Sequence, residues 1–112
     1  AVGSPGGSRI IGYTALRVIG LLDWDLDMQQ AINLPNLTNR NGPTTLEKPW
    51  RAPYNRDTVA TTAADLAGEL ERRGHTVARA RMTSGVHGIT IRPDGTRAGG
   101  ADPRREGMVL GE

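Results

Sequence analysis

Apolar residues recur at helical spacing in the first part of the chain. Over residues 9–22 they fall every three or four positions, which predicts a helix with one buried stripe. Ser8 is a residue type that caps helix N-termini. A shorter helix is predicted over residues 28–32, with Asp27 as its cap. The predicted inward stripe of the first helix is formed by Ile11, Ala15, Val18, Ile19 and Leu22.

This periodicity disappears over residues 33–56. Prolines and asparagines are frequent there, and both favour turns and extended segments over helices. We therefore predict an irregular excursion with a short strand at residues 45–48. Trp50 and Tyr54 are the predicted anchors that hold the excursion against the body of the domain.

Helical spacing returns at residues 62–73 and is predicted to end at Gly74. Thr62 and Asp65 have the spacing of a capping box at the start of this helix. A strand is predicted to follow at residues 75–81. The predicted inward stripe of this helix is formed by Ala63, Leu66, Ala67 and Leu70.

Alternation of apolar and polar residues predicts a β-hairpin near the end of the chain. Residues 86–92 form its first strand, with His87, Ile89 and Ile91 on one side. Residues 93–95 have the sequence Pro-Asp-Gly, which favours a tight turn, and residues 96–101 form the returning strand. The sequence therefore predicts an α+β domain with two main helices and about three antiparallel strands.

Composition narrows the possible functions. A chain of 112 residues without Cys makes one domain with a modest core and no thiolate metal site. The pI of about 9.7 results from arginine, but the net charge is only +2 and the arginines are scattered. This pattern disfavours a nucleic-acid interface, although an Arg-rich binding module remains the rival hypothesis. No apolar run approaches the roughly 20 residues of a membrane span.

The sequence GSPGG at residues 3–7, which we call the glycine loop, directly precedes the first predicted helix. Its backbone can turn sharply and approach another group closely. Free N–H groups at a helix start bind anions and can stabilise the oxyanion of an acyl-transfer reaction. The loop has neither of the usual nucleotide-phosphate spacings, GxxxxGK[ST] and GxGxxG. A purely structural turn is the alternative.

The segment GSPGGSRI at residues 3–10 closely resembles a signature in the small subunit of γ-glutamyltransferases, which are N-terminal-nucleophile hydrolases. The resemblance continues in the same order over nearly the whole chain. Two departures stand out. Residues 36–39 are Asn-Leu-Thr-Asn where the family often has one Arg and two His residues, and His87-Gly88 replaces a Gln-Ser pair. The further similar segments are AINLP, LERRGHTV and SGVHGITIRPDGTRAGGADPR.

This resemblance implies an αββα fold and a threonine nucleophile released by self-cleavage, which attacks a γ-glutamyl amide such as glutathione. It implies that Gly6 and Gly7 donate their N–H groups to the oxyanion. No cofactor, metal, nucleic acid or membrane is implied. A related acylase of the same superfamily would share these motifs, and a periplasmic or extracellular location is suggested.

By the same resemblance, residues 1–112 are a C-terminal portion of the small subunit, and their expected partners are the remainder of that subunit and the large subunit. The nucleophile would lie upstream, so the isolated chain is predicted to be inactive and to expose apolar surface that favours self-association. Ala1 and Val2 would be the stub of a strand. Asp102 and Arg104 are predicted to hold the C-terminal segment, and His87 to be a packed strand residue rather than a catalytic base.

Overall fold

The computed structural model describes residues 1–51, 58–59 and 63–111. Helices and strands alternate irregularly along these residues, and a short 3-10 turn at Gly7–Arg9 precedes the first helix. The helices are α1 (Ile10–Leu22), α2 (Met28–Asn33) and α3 (Ala63–Arg72). The strands are β1 (Val2–Gly3), β2 (Leu37–Thr38), β3 (Thr44–Glu47), β4 (Trp50–Arg51), β5 (Thr58–Val59), β6 (Val77–Ala80), β7 (His87–Ile91) and β8 (Arg97–Ala101).

The first sheet has the order β1-β7-β8 and is antiparallel throughout. The predicted hairpin is confirmed, because β7 and β8 pair from His87↔Ala101 to Ile91↔Arg97. Gly95 has φ 84°, which is the positive dihedral expected of the turn. The predicted strand at the start of the chain is also confirmed, since Val2 pairs with Gly88.

The second sheet, β2-β3-β6, differs from the predicted strand pairing. A strand forms at β6 as expected, but it runs parallel to β3 instead of joining the antiparallel hairpin. Two neighbouring strands that run parallel need a long crossover connection between them, because a short hairpin turn can join only antiparallel strands. The chain between β3 and β6 includes α3 and provides that crossover. The strand predicted at residues 45–48 corresponds to β3.

Two predicted helix boundaries are confirmed. Asp27 caps α2 in a reciprocal capping box with Gln30. Gly74 ends α3 with φ 88°; its N–H donates to Glu71 and the N–H of His75 donates to Leu70, the bonding of a Schellman motif. Thr62 and the side chain of Asp65, the predicted capping box, lie outside the described part of the chain.

The predicted cap of α1 was wrong. Ser8 lies inside the 3-10 turn, and the cap position of α1 is Arg9, with no side-chain hydrogen bond to the helix. The glycine loop therefore leads into α1 through a tight turn.

The predicted inward stripe of α1 was also wrong. Ile11 and Leu22 are 79% and 78% exposed, and the helix buries Tyr13, Arg17 and Gly20 instead. Gly20 lies on the side that faces α2, where a Cβ would be 3.4 Å from Ala31 and 3.1 Å from a Leu34 methyl. In α3, Ala67 is buried as predicted, whereas Leu66 is 41% exposed. The expected exposed apolar surface is confirmed.

The core lies between α1, α2 and the hairpin sheet. Its buried cluster is formed by Tyr13, Met28, Ile32, Met82 and Val86. Gly100 contributes to the fit, since a Cβ there would lie 2.7 Å from Ile32. α2 thus packs directly on the sheet that carries β1, and β1 leads into the glycine loop.

Trp50 anchors the irregular segment as predicted. It is half-buried, its Nε1 donates to Glu47 at 2.9 Å, and the Arg81 guanidinium lies 4.0 Å from its ring centre. Tyr54, the other predicted anchor, lies outside the described residues.

Candidate functional site

The glycine loop has an unusual backbone. Gly6 and Gly7 have φ 143° and 58°, in the positive region that disfavours side chains. The Gly6 carbonyl accepts from Arg9 at 3.2 Å, and the Gly7 carbonyl accepts from Ile10. Within the described residues, neither the Gly6 nor the Gly7 N–H donates a hydrogen bond. Two free donors therefore lie at the start of α1, where the helix dipole favours negative charge.

The two glycines differ in their surroundings. A Cβ at Gly6 would lie 2.8 Å from Cε2 of Tyr13, a core residue that is only 2% exposed. A Cβ at Gly7 would meet nothing within 4 Å. Gly6 therefore rests on the core, and Gly7 is open to an incoming group.

A groove of about 590 Å³ runs beside α1 from the end of the glycine loop. The exposed side chains of α1 form one wall, and β2 with the following residues forms the other. Its lining is more apolar than polar. The apolar lining includes Ile11, Ala15, Leu16, Ile19 and Leu37.

Four charged side chains form a second polar region, which we call the buried charge cluster: Arg17, Glu47, Asp102 and Arg104. Arg104 donates twice to Glu47, at 2.7 and 2.8 Å, and to Asp102 at 3.1 Å. Burial opposes the charge of Arg104, but the hydrogen bonds of Glu47 and the charge of Asp102 outweigh it. The pKa of Arg104 is therefore raised.

The guanidinium of Arg17 makes fewer hydrogen bonds than that of Arg104. Its Nη2 donates to the carbonyls of Ile32 and Leu34 at 3.1 and 2.9 Å, which Arg104 also binds. Its Nε and Nη1 are buried, and neither has a hydrogen-bond partner among the residues that the structure describes. Burial, followed by the nearby positive charge of Arg104, lowers the pKa of Arg17 to about 10. Arg17 remains protonated near neutral pH.

The predicted structural role of Asp102 and Arg104 is confirmed by their contacts. Both are 1% exposed, and Asp102 Oδ2 accepts from Ser84 Oγ at 2.6 Å and from the N–H of Val86 at 3.0 Å. Sequence reasoning missed Arg17 as a buried partner. A lone arginine within an otherwise apolar helix, at residues 10–22, was the available signal.

His87 lies in the predicted strand, β7, but it is exposed there, so the prediction that it packs inside the domain was wrong. Its Nδ1 lies 3.1 Å from the Gly85 carbonyl, and its ring leaves no room for a Cβ at Gly107. Over the described residues, no group of His, Asp and Glu side chains has a metal-binding arrangement. The helices in those ranges are too short or too polar to cross a bilayer.

Comparisons with known proteins match all or nearly all of this chain. The family model described as Gamma-glutamyltranspeptidase matches residues 1–112. The chain is 31% identical over 102 residues to the glutathione hydrolase proenzyme of Escherichia coli, covering 91% of this chain and 16% of that protein. It is 30% identical over 111 residues to the acylase ACY 1 proenzyme of a Pseudomonas species, covering 98% and 18%.

The fold is similar to that of a solved cephalosporin acylase from Bacillus halodurans, with a TM-score of 0.79 and 25% identity over 97% of this chain and 19% of that one. The predicted fold class, that of an N-terminal-nucleophile hydrolase, is thereby confirmed. The chain spans less than a fifth of the length of the curated relatives given above. It belongs to the gamma-glutamyltranspeptidase family.

Proposed function

We propose that this chain is the C-terminal portion of the small subunit of a γ-glutamyltransferase, and that its glycine loop binds the oxyanion of the reaction. The observation that carries the proposal is the pair of free N–H groups of Gly6 and Gly7 at the start of α1. Donors at a helix start are suited to a charge that develops on a carbonyl oxygen.

In the proposed mechanism, the hydroxyl of an N-terminal threonine elsewhere in the enzyme adds to the carbonyl carbon of a γ-glutamyl amide. The threonine α-amine takes the hydroxyl proton and passes it to the departing amine as the C–N bond breaks. Water or another amine then attacks the resulting ester and releases the threonine. In both additions, Gly6 and Gly7 hold the negatively charged oxygen.

This chain does not supply the nucleophile in the proposed reaction. Its paired threonines, Thr44-Thr45 and Thr61-Thr62, are internal and have no free α-amine to act as base. Within this proposal, the 112 residues therefore bind the transition state without turning over substrate by themselves.

The donor substrate is proposed to be a γ-glutamyl amide of the glutathione type. The alternative is a related acylase that accepts a different acyl group. The similarity to the Pseudomonas acylase is the observation that supports it. Both use the same oxyanion chemistry, so the glycine loop serves either. Comparing kcat/KM of the full-length protein on a γ-glutamyl anilide and on a cephalosporin side-chain amide separates the two.

The rest of the same enzyme is the proposed partner of the apolar side of α1. Ile11 and Leu22 are mostly exposed at opposite ends of this side, and Ile11 also lines the groove beside β2. A face this apolar is normally covered. The relatives are several times longer than this chain and so have polypeptide available to cover it. When isolated, the chain is proposed to self-associate through this face.

The proposal is tested by replacing the Gly7 peptide N–H with an ester oxygen in the full-length enzyme. This amide-to-ester substitution removes one donor and adds no side chain. We expect kcat to fall by about 10²- to 10³-fold. KM should change little, because the lost bond forms only in the transition state.

The matched control is the same ester at Gly42, an exposed glycine whose N–H also donates no hydrogen bond among the residues the structure describes. It should leave kcat unchanged. Equal kcat values for the Gly7 ester and the unmodified enzyme would refute the oxyanion assignment.

A further inference from the structure

Gly85 lies directly against the glycine loop. Its N–H donates to Ser4 Oγ at 3.2 Å, and a Cβ added to it would lie 2.9 Å from Cγ and 3.2 Å from Cδ of Pro5. Gly85 is buried and its φ is not positive, so an alanine there would meet no backbone strain. The absence of a side chain at this position is therefore required by the approach of Pro5, the residue before Gly6.

Gly85 is itself held in a fixed position. One oxygen of Asp102 accepts from both of its neighbours, Ser84 and Val86. Asp102 is fixed in turn by Arg104, whose backbone N–H and guanidinium donate to its other oxygen at 3.0 and 3.1 Å. The segment at residues 84–86 is thus rigidly attached to the buried charge cluster.

We infer that Gly85 is a positioning residue for the reaction: by lacking a side chain it lets Pro5 pack closely and sets the location of the Gly6 and Gly7 N–H groups. This inference rests on the proposed function. Tyr13 supports Gly6 from the core, while Gly85 fixes the loop one residue earlier. The loop is therefore held from two sides. These rigid neighbours set the positions of the free N–H groups of Gly6 and Gly7.

The test is Gly85→Ala in the full-length enzyme. The added methyl must displace Pro5, because a proline ring cannot rotate away as a flexible side chain can. We expect kcat to fall by about 10- to 100-fold with KM nearly unchanged, since a small misplacement affects the transition state most. Gly42→Ala, in open space on the surface, is the control and should have no effect.

Rescue distinguishes positioning from general damage. Pro5→Ala removes the Cγ and Cδ that the new methyl would meet, so the double variant Gly85→Ala/Pro5→Ala should recover the kcat of Pro5→Ala alone. The methyl would also lie 2.8 Å from Cδ of Arg105. Gly85→Ala/Arg105→Ala should not recover activity, because the long arginine side chain can already move aside.

Three results would overturn the inference: an unchanged kcat in Gly85→Ala, rescue by Arg105→Ala in place of Pro5→Ala, or a loss that neither variant rescues. These failures are distinct from failure of the proposed function. If the Gly7 ester lowers kcat and Gly85→Ala does not, the oxyanion assignment stands and only the role of Gly85 is lost.

Discussion

The polar groups of the glycine loop and of the buried charge cluster differ in whether they are hydrogen-bonded to the protein. In the cluster, Glu47 accepts four hydrogen bonds, from Arg104 twice, from the N–H of Asn36 and from Trp50. In the loop, the N–H groups of Gly6 and Gly7 are free within the described structure. Glu47, Asp102 and Arg104 are bonded to one another and to neighbouring protein groups, whereas the two glycines have N–H groups available to a ligand.

This contrast shows why residue type alone is a poor guide to chemistry here. Asp102 and Arg104 are reactive residue types in a family motif, yet both are buried and bonded to protein groups. A buried charge whose hydrogen bonds are all made to protein groups has none left for a ligand, whereas an unbonded donor at a helix start can bind a developing negative charge. The two regions should therefore respond differently to substitution: the cluster through stability, the loop through kcat.

The largest expected effect on stability is that of Arg104→Met. It removes the ion-pair partner of both Glu47 and Asp102, so two buried carboxylates lose their direct bonds to a cation and keep only the nearby charge of Arg17 within the cluster. We expect a loss of about 3–5 kcal/mol in the free energy of unfolding of the full-length protein, measured by denaturant titration.

Arg72→Met in α3 is the control for that measurement. Arg72 also pairs with a carboxylate, Glu69, but its side chain is 75% exposed. Removing it should cost less than about 1 kcal/mol. Losses of equal size in the two variants would show that the buried cluster contributes no more than a surface ion pair.

A smaller loss of stability is expected of Arg17→Met. This variant shows whether the two arginines of the cluster contribute equally. Arg104 still binds the carbonyls of Ile32 and Leu34 after this change, and the two unpartnered buried groups of Arg17 disappear. The loss should be no more than about 1–2 kcal/mol. A loss as large as that of Arg104→Met would contradict the unequal roles assigned to the two arginines.

The pH dependence of the same variant has a definite sign. The folded pKa of Arg17, about 10, lies below its ordinary value in the unfolded chain. The unfolded chain therefore binds more protons between these values, and wild-type stability should rise relative to Arg17→Met as the pH passes through 10. Below that range the difference between the two proteins should be constant. A difference that stays constant through pH 10 would contradict the lowered pKa.

Several caps and turns were predictable because a few neighbouring residues specify each of them. Asp27 with Gln30, Gly74, and the Pro-Asp-Gly turn at residues 93–95 each specify a cap or turn within a few residues, and all three formed as expected. The pairing of β3 with β6 joins residues more than thirty positions apart, and local alternation says nothing about such a partner.

The orientation of α1 was not predictable from apolar spacing. Its most apolar side is exposed because the opposite side faces α2 and buries Arg17, which donates to the Ile32 carbonyl. An apolar stripe identifies a face that something covers, but not which element covers it.

The candidate site was predictable only in part. The family motif pointed to Gly6 and Gly7, since the motif is continuous in sequence. The approach of Gly85 to Pro5 brings together segments eighty residues apart, so it required the structure.

The central claim is tested most directly by a crystal structure of the full-length enzyme with a tetrahedral adduct trapped on its nucleophile. The account predicts that the backbone nitrogens of Gly6 and Gly7 both lie about 2.7–3.1 Å from the adduct's oxyanion. An oxyanion held by other donors, with both glycine N–H groups directed away from it, would contradict the account.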